Sequence, residues 1–285
     1  MARVVCLHGI GQQYGGEREL HGDWFPALAD GLTRAEAPAL DADDVTCAFY
    51  GDLFRPRGRT LAARDAPLDA GDVEAGFETE LLLALWEEAA RTDPAVVAPD
   101  ARTLVRAPRS VQRALNALGN SRFFAGLAMR ALVHDLKQVR AYLCDPAVHE
   151  AVQRRAGAAV TDDTRVIVGH SLGSVVAYEA LCAHPEWPVR SLVTLGSPLG
   201  IRTLVFQRLR TGEGAGPGRW PGRVAHWTNI ADAGDAVAPA KDLRPLFGER
   251  VVNHLVHNGA RAHDATRYLN TPEAGRAVSD GCHLG

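Results

Sequence analysis

The chain has 285 residues, 46% of them hydrophobic and 23% charged, with a formal net charge of −3. These are ordinary globular proportions, and they suit one large α/β domain, or one domain carrying an insertion. The charge balance gives no global reason to expect a nucleic-acid partner, and no stretch approaches the apolar length needed to span a bilayer.

At the N-terminus, the apolar run Val4–Leu7 stops at His8-Gly9. That is too short for the hydrophobic segment of a secretory signal. The five cysteines, Cys6, Cys47, Cys144, Cys182 and Cys282, are odd in number, widely spaced and without a CxxC pair. They read as reduced thiols of a cytoplasmic protein; Cys6 and Cys47, inside apolar runs, read as small buried hydrophobes.

Six short, largely apolar runs predict strands: Arg3–Leu7, Val45–Tyr50, Arg165–Val168, Ser191–Leu195, Val224–Ile230 and Val251–Val256. Runs of this kind suit parallel strands covered on both faces. Helical stretches separate most of them, among them Trp24–Arg34, Val148–Arg155 and Ser174–Ala183. The alternation predicts an open, mostly parallel sheet with helices on both faces. Ligands of such sheets bind at the carboxyl ends of the strands, where His8, Ser171 and Ser197 fall.

The stretch 52–145 breaks the alternation and predicts a mostly helical insertion, a cap or lid within a single domain spanning 1–285. Glu74–Ala90 reads as a helix with Phe77, Leu81, Leu85 and Trp86 near one face. Ser121–Leu143 reads as an amphipathic helix, with Phe124, Leu127, Leu132, Leu136, Val139 and Tyr142 at helical spacing. From 101 to 143 eight basic residues (Arg102, Arg106, Arg109, Arg113, Arg122, Arg130, Lys137 and Arg140) stand against one acid, Asp135. They read either as solvated helix faces or as a basic surface meeting a membrane headgroup or an anionic partner. Thr211–Gly222, rich in Gly and Pro, predicts a mobile loop.

The strand Arg165–Val168 runs into Gly169-His170-Ser171-Leu172-Gly173 and then into an apolar helix. This is G-x-S-x-G in its required strand–turn–helix context. A serine there sits on a tight, strained turn that lifts its hydroxyl over the sheet edge, and flanking glycines relieve the crowding. Ser171 is the candidate nucleophile. The turn also aims the Leu172 N–H, at a helix N-terminus, toward the reaction centre. His8-Gly9-Ile10-Gly11 follows the first strand and supplies a second candidate oxyanion donor, the Ile10 N–H, with Gly11 in reserve. His8 reads as a structural residue of that loop. Gly9, Gly11, His170 and Ser197 are expected to line the substrate site.

These residues resemble the α/β-hydrolase superfamily, in particular its lipase- and esterase-like members. The resemblance rests on the early H-G-I-G, the G-H-S-L-G elbow and the Gly196-Ser197-Pro198 turn, and covers roughly 1–52 and 145–285. It implies the α/β-hydrolase fold and the triad order Ser, Asp, His. In that order Asp235, just past the fifth strand, resembles the aspartate of the family's Asp-Pro-Val loop, with Ala236 in the proline's place; Asp232 is the alternative acid. His263, ahead of the helix-like Asp264–Leu269 and followed by Tyr268, resembles the family's late histidine; His257 is the alternative, and His254 falls inside a strand. The three histidines match no zinc spacing, so neither a metal nor another cofactor is implied.

The expected activity is hydrolysis of a carboxylic ester on a small or lipid-like acyl substrate. Peptide or thioester cleavage on the same triad, and a non-catalytic hydrolase-like binding module, are the alternatives. Oligomeric state has no sequence signal.

Overall fold

A computed structural model of the protein describes residues 2–55, 68–99, 108–119, 121, 129–211 and 218–283, with backbone only at 108, 109, 129 and 130. Six strands form one sheet: β1 (Val4–Leu7), β2 (Val45–Ala48), β3 (Val166–His170), β4 (Ser191–Leu195), β5 (His226–Asp232) and β6 (Val251–Val256). Their order is β2-β1-β3-β4-β5-β6 and every pairing is parallel. All six expected strands are present, and their ends differ by at most two residues from those read in the sequence.

Nine α-helices occur among the described residues: α1 (Glu17–Arg34), α2 (Phe77–Thr92), α3 (Pro108–Gly119), α4 (Met129–Cys144), α5 (Pro146–Ala158), α6 (Leu172–Ala183), α7 (Arg244–Phe247), α8 (Ala265–Leu269) and α9 (Pro272–His283). The period-2 alternation of strand side chains divides the core in two. Val5, Leu7, Ile167 and Leu192 pack with residues of α5 and α6. Val4, Cys6, Val166, Val168 and Val193 pack on the other face with residues of α1, α8 and α9. Both faces of the sheet are therefore covered, which is why its strands are apolar throughout.

Between β2 and β3, residues 52–145 contain α2, α3 and α4 among the described residues, and α5 follows before β3. The insertion has its own apolar cluster, built on Leu82, Leu85, Leu115, Leu118, Val133 and Leu136, and this cluster reaches the sheet domain at Leu204 and Ala236. The single long helix expected over Ser121–Leu143 is seen from Met129 onward; 122–128, with Phe123, Phe124 and Leu127, lie outside the described residues, as do 212–217 of the Gly/Pro-rich loop. Of the expected basic stretch, Arg102, Arg106, Arg122 and the side chains of Arg109 and Arg130 also lie outside them. Lys137 and Arg140 turn onto acids of the same insertion, Glu78 at 3.2 Å and Glu74 at 2.9 Å. Among the described residues, no helix is long and apolar enough to cross a membrane.

Chain order along the sheet reverses between β1 and β3. At that switch point the loops leaving the two strands diverge and open a crevice beyond their carboxyl ends. The crevice is bounded by the loop after β1 and the turn after β3.

Candidate active site

Ser171 lies in the turn from β3 into α6. Its φ is +52° and ψ is −127°, a region that non-glycine residues rarely occupy. The chain reverses so tightly that side chains two residues to either side would collide with backbone. A Cβ at Gly169 would lie 2.6 Å from Ser174 Cα, and one at Gly173 would lie 2.6 Å from the His8 carbonyl oxygen. The turn is held from beneath by a chain of hydroxyls. Ser174 Oγ donates to the Ser171 carbonyl at 2.6 Å and lies 2.7 Å from Ser197 Oγ, which accepts from the Leu199 N–H at 3.2 Å. Ser197, expected to line the substrate site, is instead buried under the elbow and supports the turn.

The loop after β1 crosses directly over the serine. A Cβ at Gly9 would lie 2.7 Å from Ser171 Cβ, so close backbone approach requires glycine there. Gly11 has φ +84°, and its N–H is bonded to Gln138 Oε1 of α4 at 3.3 Å. Ile10 and Leu172 present no such bonded N–H among the described residues. His8 holds the loop: its Nδ1 lies 2.7 Å from the Gly9 carbonyl, its Nε2 accepts from the Tyr50 N–H at 3.2 Å, and its ring stacks on Tyr50. Burial lowers its pKa to about 4, so it stays neutral with Nδ1 carrying the proton.

The candidate acid and the candidate base come from two further strand ends. Asp235 lies in the loop after β5 and is fully buried; His263 lies in the loop before α8 and is partly open. Nδ1 of His263 is 2.8 Å from Asp235 Oδ2. Tyr268 of α8 donates to the same oxygen at 2.7 Å, while its own hydroxyl accepts from the Asp232 N–H at 2.8 Å. Asp235 Oδ1 accepts from the Val237 N–H at 2.9 Å. Burial pushes the Asp235 carboxyl up, but the His263 imidazole and the Tyr268 hydroxyl outweigh it, leaving the pKa below the ordinary value.

Asp232, the alternative acid, has both carboxylate oxygens engaged by backbone, the Gly234 N–H at 2.6 Å and the Asn258 N–H. It shapes the β5 and β6 loop ends. His257 is exposed, and His254 lies within β6, paired in register with Ile230.

Sequence reasoning did not assign three neighbours of the pair. Gly196, with φ +53°, leaves the space that Asp235 and His263 fill: a Cβ there would lie 2.7 Å from Asp235 Oδ2 and 3.0 Å from His263 Nδ1. Its signal was the Gly-Ser-Pro turn after β4. Tyr268 was noted only as a family likeness. Asp135 of α4 lines the same cavity as Ser171 and His263; its signal was a lone acid among apolar positions at helical spacing. His170, expected at the substrate site, does line that cavity, and it also sits against His263. Its ring centroid is 4.7 Å from that of His263, and its Nε2 lies 2.8 Å from the His263 carbonyl. Burial, then the charge of His263, lowers the His170 pKa to about 3.

Two hollows meet at this point. One, of about 290 Å³, is mainly apolar and runs beneath the insertion; Leu81, Leu85, Leu132, Leu136, Val139 and Ile201 form much of its wall. The other, of about 740 Å³, is polar and runs along α1 and α8, with Glu19, Asp23, Asp30, Arg261 and Arg267 in its wall. Ile10, His170 and His263 line both. Among the described residues, no group of three or more His, Cys, Asp or Glu is arranged to hold a metal ion. The chain matches no family model, no curated protein and no solved structure.

Proposed function

We propose that the protein is a serine hydrolase of the α/β-hydrolase type that cleaves a carboxylic ester. The observation that carries this reading is the Asp235–His263 pair at 2.8 Å, whose histidine borders the same cavity as Ser171 on its strained turn. A serine hydroxyl is a weak nucleophile near neutral pH and needs a base to take its proton. Asp235 engages His263 at Nδ1, so in this reading Nε2 serves as the base, and the ionised carboxylate stabilises the imidazolium that forms.

In this reading Ser171 Oγ attacks the ester carbonyl while His263 takes its proton. The carbonyl electron pair moves onto oxygen, where the Ile10 and Leu172 N–H groups stabilise it. Collapse expels the alcohol, which receives the proton from His263. Water repeats the sequence on the acyl-enzyme and releases the acid. The two hollows suit an ester with an apolar acyl part and a polar alcohol part, divided at the serine.

Ser171→Ala is expected to abolish turnover of p-nitrophenyl esters and labelling by a fluorophosphonate probe. Asp235→Asn should leave labelling detectable but reduce kcat by roughly 10⁴-fold. Labelling retained at another residue in Ser171→Ala would overturn the assignment. Turnover of a peptide library without ester turnover would move the substrate class to peptides.

A further inference from the structure

Among the described residues, the cavity bordered by Ser171 and His263 has one acid in its wall. Asp135 lies on α4, and Leu132, Leu136 and Val139 of the same helix line the cavity with it. Positions 132, 135, 136 and 139 share one helical face. Leu81 and Leu85 of α2, and Ile201 and Val205 after β4, continue an apolar wall around it. Among the described residues the Asp135 carboxyl makes no hydrogen bond or ion pair, and His263 is the charged group that acts on it through space.

An acid placed this way is costly. Asp135 is half-buried in this apolar wall, where a carboxylate loses part of its hydration and its neutral form is favoured. Burial accordingly pushes the Asp135 pKa up to about 7, against the opposing pull of His263. Packing alone favours an apolar side chain here, as at the neighbouring cavity positions. A perturbed acid facing a cleft beside candidate catalytic groups, with no hydrogen-bond partner among the described residues, is the pattern of a functional residue.

We propose that Asp135 is a specificity residue: it receives a hydrogen-bond donor, a hydroxyl or an amine, carried on the otherwise apolar part of the substrate that enters this cavity. A plain alkyl chain leaves the carboxyl unsatisfied, and an anionic group is repelled by it. A donor-bearing chain satisfies it, and sites built to bond a polar group discriminate strongly against analogues that lack it. The proposal rests on the reading of Ser171, His263 and Asp235 as the reacting groups.

The test compares p-nitrophenyl esters of plain, ω-hydroxy and ω-amino acids, from four to eight carbons, on the full chain and on its Asp135→Asn and Asp135→Leu variants. At one chain length or more, the unsubstituted protein should favour a donor-bearing ester over the plain one by about tenfold or more in kcat/KM. Asp135→Leu should abolish or reverse that ratio. Asp135→Asn separates the two donors: it should keep a hydroxyl preference and lose an amine preference. A ratio unchanged by Asp135→Leu at every length overturns the proposal. So does a parallel loss on all esters with a shifted pH profile, which would assign Asp135 to His263 instead.

A second arm separates this from failure of the hydrolase reading. Ser171→Ala protein is titrated calorimetrically with hexylamine, 1-hexanol and pentyl methyl ether. One of the first two should bind about tenfold tighter than the ether, and the difference should vanish in Ser171→Ala/Asp135→Leu. If no ester is hydrolysed yet this discrimination holds, the hydrolase reading fails and the role of Asp135 stands. Equal binding of all three overturns the proposal. Thermal unfolding of each variant confirms that it is folded.

Discussion

A side chain at position 196 has nowhere to go. Its Cβ would press on Asp235 Oδ2 and His263 Nδ1, and the φ of +53° disfavours any L side chain. The acid–base pair, not the turn, makes the stricter demand, because a left-handed turn alone tolerates Asn or Asp. Gly196→Ala is therefore expected to cost about 1–3 kcal/mol in stability through backbone strain and overpacking. It should also lower esterase kcat by at least about tenfold, because small displacements of reacting groups are expensive. A normal kcat in a folded Gly196→Ala protein would show that the Asp235–His263 contact is not needed. Tyr268 belongs to the same argument. Its hydroxyl sits between the Asp235 carboxylate and the Asp232 N–H, so it holds that carboxylate in place.

At the scale of elements, one buried carboxylate joins the apolar contacts in tying the insertion to the sheet domain. Glu179 of α6 accepts from Tyr142 Oη of α4, from the Arg210 N–H at 2.6 Å, and meets His149 Nε2 of α5 at 3.1 Å. Three helices and the chain after β4 thus share one side chain. Replacing it by leucine leaves the Arg210 N–H and the His149 ring short of a partner, and an unsatisfied buried group costs about 1–3 kcal/mol. Glu179→Leu should lower stability by roughly 2–4 kcal/mol, and Glu179→Gln by less, since an amide oxygen keeps one acceptor. Denaturant midpoints compare them directly; equal losses would argue against the network. A lighter contact joins α4 to the loop over Ser171, through Gln138 to the Gly11 N–H.

For the whole molecule, buried titratable groups set how stability responds to acid. His8 and His170 have folded pKa values of about 4 and about 3, both below the ordinary value of 6.5. Their contribution is complete above pH 6.5 and is lost as the pH falls toward those values, because the unfolded chain takes up protons the fold resists. Asp135 acts oppositely. Its pKa of about 7 exceeds the ordinary 3.8, so the fold gains stability as the pH falls through 7 toward 4. Two losses against one gain leave a net loss on the order of 1 kcal/mol per pH unit between roughly pH 6 and 4.5. Below the ordinary carboxylate range Asp235, held ionised by His263, adds to the loss. Urea unfolding from pH 7 to 4 should show this decline, and Asp135→Leu should steepen it. A stability curve flat across that range would contradict the buried, neutral state of the two histidines.

The strands and the elbow were legible in the sequence because their causes are local. A strand covered on both faces must be apolar along its length, and a serine on a strained strand-to-helix turn must have glycines beside it; both leave contiguous patterns. Helix α9 and the separate α3 left weaker patterns, and their packing became visible only with their neighbours. The family resemblance favours Asp235 over Asp232, but their actual partners lie 28 and 26 residues away, His263 and Asn258, and no spacing within the chain reveals those contacts. Ser197 read as a wall of the site because it follows a strand end, whereas the hydroxyl of Ser174 draws it beneath the turn. By itself, the sequence determined an α/β protein with a parallel sheet and a serine at the carboxyl end of a central strand. Only the tertiary structure decided which acid meets which base, that Gly196 makes room for them, and that Asp135 faces the cavity, because those facts depend on side chains from different strand ends converging at one point.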